Sequence, residues 1–280
     1  MQNGQPSRTA LGAAVLRAAH QTVDGASIFR DPTAHIVLGR NADAMIEAMV
    51  ADPLQQRMRI FLAARSRFAE DSLDAAVTRG VRQLVILGAG LDTFALRNPH
   101  AALGLKIFEV DHPATQAWKR DRLREANFAI PPLLTFAPMD FSSQNLAEQL
   151  VAAGFQPDQP AFFCWLGVVP YLREEDIAAI LRYIGGLPGS EIVFDYAEPL
   201  ENYSPGRRDI ITAVAARAAA IGEPWLSFFD PAEIAKDLAG YGFDELEDLV
   251  FADIPVRYLG ARRGEGPIEA GGHVIRARRL

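Results

Sequence analysis

The stretch Gln83-Leu84-Val85-Ile86-Leu87-Gly88-Ala89-Gly90-Leu91-Asp92-Thr93 constrains the fold more than any other. Leu84 to Leu87 is a continuous apolar run with two β-branched residues, which suits a strand covered on both faces, as in a parallel sheet. Gly88 and Gly90 then let the backbone turn sharply and approach a ligand with no Cβ in the way. A second apolar run, Leu105 to Asp111, ends in two acids on one side of the strand, Glu109 and Asp111. It ends about 20 residues after the glycines, the spacing of a nucleotide-type half of a doubly wound fold. The pattern predicts a strand, a glycine loop, a helix and a second strand whose terminal acid accepts hydrogen bonds from ribose hydroxyls.

This signal leaves three readings open. A dinucleotide fingerprint would place a third small residue where Thr93 stands, and Asp92 would repel a diphosphate. A cofactor with a ribose but no phosphate fits better than NAD, and S-adenosylmethionine is the common one. A tight strand-to-helix turn without a ligand is the plainest alternative.

The bulk properties narrow the class. The net charge of −7 argues against nucleic acid as a main partner. A patch of Arg262, Arg263, Arg276, Arg278 and Arg279 reads more simply as solvated surface. Cys164 is the only cysteine, so no intrachain disulfide forms, and the chain fits a reducing compartment. That thiol sits in an apolar run and reads as core. No run is long enough to span a membrane, and the N-terminus carries no signal-peptide pattern, so a cytoplasmic location is expected. The five histidines show no metal-ligand spacing, and no metal is expected.

Along the chain, Ser7 can cap a helix through Ala18, and Asp31-Pro32 opens another helical stretch. Helices are expected over Asn41 to Met49 and from Asp52 through the Arg65 region to the first strand. Strands are expected at 133–137, 161–166 and 191–196, each followed by a helix. The chain should then finish with strand, loop and strand, over 244–251 and 273–277. This alternation predicts an α/β, Rossmann-like sandwich with a mainly parallel sheet, an antiparallel edge hairpin and a helical N-terminal cap. All 280 residues are expected to form a single domain, with a cap over 1–80 and a core over 81–280. Ligands of such sheets sit at the carboxyl ends of the strands. Here those ends carry Gly88, Gly90, Asp111, Asp140, Leu166 and Asp195.

Val81 to Thr93, followed by Phe108-Glu109-Val110-Asp111-His112-Pro113 and Lys119, resembles the leucine carboxyl methyltransferase family. The likeness is greatest to its bacterial S-adenosylmethionine-dependent branch. It extends to Ser7-Arg8-Thr9-Ala10, Arg65-Ser66-Arg67-Phe68, Asp140-Phe141, Gly167 with Tyr171-Leu172, and Gly222-Glu223-Pro224-Trp225. The resemblance implies a class I methyltransferase fold and S-adenosylmethionine as cofactor. It implies that Gly88, Ala89 and Gly90 pass the methionine part and ribose. Asp111, with Glu109 as the other candidate, would hold the ribose hydroxyls. Asp140 and the Phe141 backbone would read the adenine. Arg65 and Arg8 would take the methionine carboxylate, which a guanidinium fork matches.

One position departs from the family. An acid usually precedes Gly167 and contacts the cofactor, but this chain has Leu166. Asp92 and Asp195 can compensate, and Asp92 is the preferred candidate. The implied chemistry is methyl transfer to an oxygen of a small molecule, or of a protein C-terminal carboxylate. A carboxylate acceptor needs no base, whereas a phenol does. No sequence-local His/Asp pair supplies one, so the catalytic residues stay unassigned. An NAD-dependent oxidoreductase and a non-catalytic binding protein of the same fold are the rivals.

Overall fold

A computed structural model describes residues 7–52, 54–141, 144–262 and 269–280. Three helices precede the first strand: α1 (Arg8–Thr22), α2 (Ala42–Val50) and α3 (Leu54–Thr78). Ser7 caps α1, its hydroxyl accepting from the Ala10 amide at 3.2 Å. The stretch after Asp31 differs from expectation. It forms turns and then a 3₁₀ segment, Ile36–Asn41, kinked at Gly39.

The sheet follows: β1 (Gln83–Leu87), β2 (Lys106–Asp111), β3 (Leu134–Pro138), β4 (Phe162–Trp165), β5 (Glu191–Ala197), β6 (Glu245–Val250) and β7 (Gly272–Arg278). Its order is β3-β2-β1-β4-β5-β7-β6. The first five strands pair in parallel, and β7 pairs antiparallel with both β5 and β6. This is a Rossmann-like α/β sandwich with a mainly parallel sheet and an antiparallel edge hairpin. The hairpin is inserted rather than appended. The last strand slots between β5 and β6, which leaves β6 at the edge. Burial explains this placement, since β7 carries the buried Val274, Ile275 and Ala277, whereas only Leu249 and Val250 at the end of β6 are buried.

Central β1 is buried along its whole length, and its side chains alternate between two cores. Val85 and Leu87 join the core beneath α5 (Leu146–Ala152), α6 (Glu174–Gly186) and α8 (Pro231–Gly240). Leu84 and Ile86 join Phe68, Leu73 and Val77 of α3 on the other face. Each such large side chain contributes about 1.5–3 kcal/mol on burial. Helix α4 (Pro113–Glu125) links β2 to β3, α7 (Pro205–Ala220) follows β5, and α9 (Ile254–Tyr258) follows β6.

The helix expected between β1 and β2 is absent. Two short 3₁₀ turns, Phe94–Arg97 and Ala101–Leu103, take its place. Local side chains compete with the helix here. The Asp92 carboxylate accepts from the Phe94 amide at 2.7 Å, and Asn98 Oδ1 accepts from the His100 amide at 2.9 Å. Pro99 also biases Asn98 away from helical geometry.

The connection from β5 to α7 is pinned by a buried histidine. His273 Nδ1 lies 3.0 Å from Asp248, and Nε2 lies 3.0 Å from Glu198. Tyr196 stacks on the imidazole and donates its hydroxyl to Asp248 at 2.7 Å. Burial disfavours the imidazolium, but the two carboxylates outweigh it and hold the His273 pKa above its ordinary value. Of the C-terminal arginines, Arg276 pairs with Glu191 and Glu247, Arg278 pairs with Glu245, and Arg279 donates to the Gly185 carbonyl. Arg263 lies outside the described residues. Among the described residues, no helix is long and apolar enough to cross a membrane, and no cluster could hold a metal ion.

Candidate active site

The carboxyl ends of β1, β2, β4 and β5 open onto one cavity of about 1020 Å³. The glycine loop forms its floor. Gly88 has φ +63°, and a Cβ there would lie 2.4 Å from a Val168 methyl, so only glycine fits. Gly90 has φ +49°, and a Cβ there would press on Ala10 at 3.2 Å. The N-terminal helices hold this loop in place. Arg17 donates to the Leu91 carbonyl at 2.5 Å, and Thr93 donates to the fully buried Asp31, which also pairs with Arg17 and Arg97.

Asp111 ends β2 beside the loop. Its carboxylate accepts from the Gly90 amide at 2.5 Å and the His112 amide at 2.6 Å. Burial raises its pKa, with those amides opposing. Asp140 and Phe141 line the same cavity after β3. Arg8 and Arg65 reach it from α1 and α3.

Glu109 stands apart from Asp111. It shares a face with Asp111 but lies one pleat deeper, 1% exposed, and does not line the cavity. Its carboxylate accepts from the equally buried Lys119 at 2.6 Å. Burial pushes its pKa up to about 7, with Lys119 opposing. The period-two pattern could not separate the two acids, because it fixes the face of a side chain and not its depth.

Leu166 packs against the core on the α3 face, and Asp195 stands beside it. Trp165 and Phe194 are register partners, so Leu166, just past the end of β4, lies beside Asp195, which is still within β5 and pairs with Val274 of β7. Asp195 accepts from the Gly167 amide at 2.5 Å and from Arg65 at 2.7 Å. The acid placed against Gly167 is therefore Asp195 and not Asp92, whose carboxylate is engaged by the Phe94 amide.

Sequence reasoning missed the closure of the cavity. Glu223, between α7 and β6, accepts from the Ser7 hydroxyl at 3.0 Å, from the Thr9 amide at 3.2 Å and from the Thr9 hydroxyl. This fastens the first turn of α1 over the glycine loop. Both partners fall in stretches that drew attention, Ser7 to Ala10 and Gly222 to Trp225, but no local signal joins segments so far apart.

The rest of the cavity is mostly apolar. Helix α3 contributes Met58, Phe61 and Leu62, and α7 contributes Ile210, Ile211 and Val214. His112 is the one histidine among the described lining residues. Its Nδ1 accepts from the Ala114 amide at 3.2 Å, so in the neutral ring Nε2 carries the proton and no lone pair remains for a base.

Comparison with known proteins points the same way as this geometry. The profile of the leucine carboxyl methyltransferase family matches residues 10–185. A Bacillus subtilis protein named "Putative S-adenosyl-L-methionine-dependent methyltransferase YktD" is 34% identical, over 90% of this chain and 94% of its own. Among solved structures, a "putative methyltransferase" from Thermobifida fusca superposes with a TM-score of 0.57 at 17% identity, covering 99% of this chain and 96% of the other. A Streptomyces avermitilis protein of the duf574 family gives a TM-score of 0.55 at 16% identity, covering 89% and 97%. These two likenesses bear on the fold alone.

Proposed function

Because the chain belongs to the leucine carboxyl methyltransferase family of S-adenosylmethionine-dependent methyltransferases, we propose that it methylates an oxygen of a small molecule, with a carboxylate as the favoured acceptor. One observation carries this reading. The glycine loop, Asp111, Asp140 and Arg65 meet in a cavity that continues into an apolar compartment larger than the cofactor needs.

The residues present fit the cofactor. The Gly88 and Gly90 backbone lines the cavity and packs so closely on Val168 and Ala10 that a Cβ would force the loop out of place. Asp111 would accept from the ribose hydroxyls, already oriented by two backbone amides. Asp140 and the Phe141 backbone would meet the adenine. Arg65, held by Asp195, would meet the methionine carboxylate, and Arg8 would assist from α1. Asp195 would also offset positive charge of the cofactor beside Gly167. When bound, S-adenosylmethionine supplies an activated methyl group and its own leaving group. The protein's part is to position the acceptor and exclude water.

The state of His112 favours the carboxylate. A phenol, with a pKa near 10, needs a base, and the histidine that lines the cavity has its lone pair engaged. A carboxylate is already ionised at neutral pH.

The test uses cofactor labelled in the methyl group and a small-molecule extract. A carboxyl methyl ester releases labelled methanol on mild alkaline treatment. An ether product keeps its label and would shift the acceptor to a hydroxyl. Absence of any transferred label, in a protein that still binds S-adenosylhomocysteine, would favour a non-catalytic binding protein.

A further inference from the structure

Far from the glycine loop, the apolar compartment ends in cationic groups that the transfer chemistry does not use. Phe251, which follows β6, lies at this end with Phe61 of α3 at 6.1 Å between ring centroids. Two guanidinium groups converge on that one ring. Arg57 of α3 lies 5.7 Å from its centroid and Arg207 of α7 lies 5.8 Å from it. All four side chains line the cavity.

The charges here do not balance. Arg207 pairs with Glu269, whose side chain is 58% exposed, so this pair is weakly held. Arg57 has no carboxylate partner among the described residues. An excess cation is notable in a chain of net charge −7. An aromatic face fixes the plane of a guanidinium while leaving its N–H fork free to bind a carboxylate in bidentate fashion.

Among the described residues, the apolar stripe leading there joins none of the core clusters. Ile210, Ile211 and Val214 recur at helical spacing on α7, yet only Ala218 of that helix is fully buried. Their common environment is the cavity, where they oppose Met58 and Leu62 of α3.

We propose that the acceptor is an elongated, apolar acid. It carries a second carboxylate, remote from the methyl-accepting oxygen, that sits on Arg57 and Arg207 above Phe251. This rests on the methyltransferase reading for the position of the acceptor, but the subsite itself is read from the far end of the cavity. It would select chain-like acids over neutral molecules of the same length.

The experiment separates the two claims. S-adenosylhomocysteine is first titrated alone; failure to bind would count against the methyltransferase reading and leave the subsite to be judged by the next step. Phenylhexanoate and phenylhexanamide, equal in length and differing in charge, are then titrated into the protein with and without S-adenosylhomocysteine. The carboxylate is expected to bind about tenfold more tightly than the amide, the worth of one charge-assisted contact. In Arg57→Gln combined with Arg207→Gln, the two affinities should come within about threefold, with amide binding unchanged. The single Arg57→Gln, at an exposed position, should show an intermediate preference and guards against misfolding of the double variant. Equal affinities in the parent, binding of neither probe, or an undiminished preference in the double variant would overturn the proposal.

Discussion

Arg65 and Asp195 form a largely buried ion pair at 2.7 Å, and the free oxygen of Asp195 accepts from the Gly167 amide at 2.5 Å. A Cβ on Gly167 would lie 2.8 Å from the Arg65 guanidinium, so the arginine is packed flat against that glycine. This arrangement places a carboxylate beside Leu166. Asp195→Asn keeps the shape but removes the charge. Calorimetry should show S-adenosylhomocysteine affinity falling about tenfold to a hundredfold, the worth of one charge-assisted hydrogen bond. Equal or tighter binding would mean that Asp195 competes for Arg65 rather than positioning it.

The two acids of β2 should separate cleanly. Asp111→Asn is expected to weaken S-adenosylhomocysteine binding by about tenfold or more. Glu109→Gln should act on stability instead, because it leaves Lys119 buried without its counter-charge, a loss of about 3–5 kcal/mol. Urea unfolding and calorimetry on both variants check this. A binding defect confined to Glu109→Gln would reverse the assignment.

Glu223 fastens the α1 start across the cavity through three donors from Ser7 and Thr9. Glu223→Gln keeps the shape but exchanges charge-assisted bonds for weaker neutral ones. The expected result is release of S-adenosylhomocysteine about threefold to tenfold faster in stopped-flow, with the association rate little changed. Unchanged release would show that the α1 start does not gate the cavity.

The His273 clamp gives stability a defined pH dependence. The folded-state pKa of His273 is raised, so its contribution is complete below the unfolded value of about 6.5 and is lost as pH climbs through the folded value. Glu198 behaves in the opposite sense. Burial opposes its charge, but its bonds to His273, Asn202 and Gly271 lower its pKa, so its contribution fades as pH falls through that value. The stability difference between the parent and His273→Gln should therefore shrink from pH 6 to pH 9 in urea titrations. A difference constant across that range would mean that the imidazole is neutral in the fold.

Local chemistry made much of this architecture legible. Apolar runs marked the strands, glycines marked the turn after β1, and Ser7 marked the start of α1. The expected helix after the glycine loop failed because Asp92 and Asn98 offer the backbone nearer partners. The slot taken by β7 depends on which strand buries more apolar surface, and alternation alone does not rank strands. Most site candidates fall at strand ends, so topology gathers them into one cavity. Depth sets Glu109 apart from Asp111, and register puts Asp195 rather than Asp92 against Gly167. The Glu223 contact and the approach of Arg57 and Arg207 to Phe251 join distant segments and leave no trace in local sequence.

The central claim is that this cavity holds the methyl donor in the cradle of Gly88 and Gly90. Its most direct test is calorimetric titration of the unmodified protein with S-adenosylhomocysteine, with NAD as the comparison ligand. The account predicts one-to-one binding of S-adenosylhomocysteine with a Kd of about micromolar order, roughly −8 kcal/mol, and no heat from NAD. Binding of NAD instead, or of neither ligand at about millimolar concentration, would contradict it.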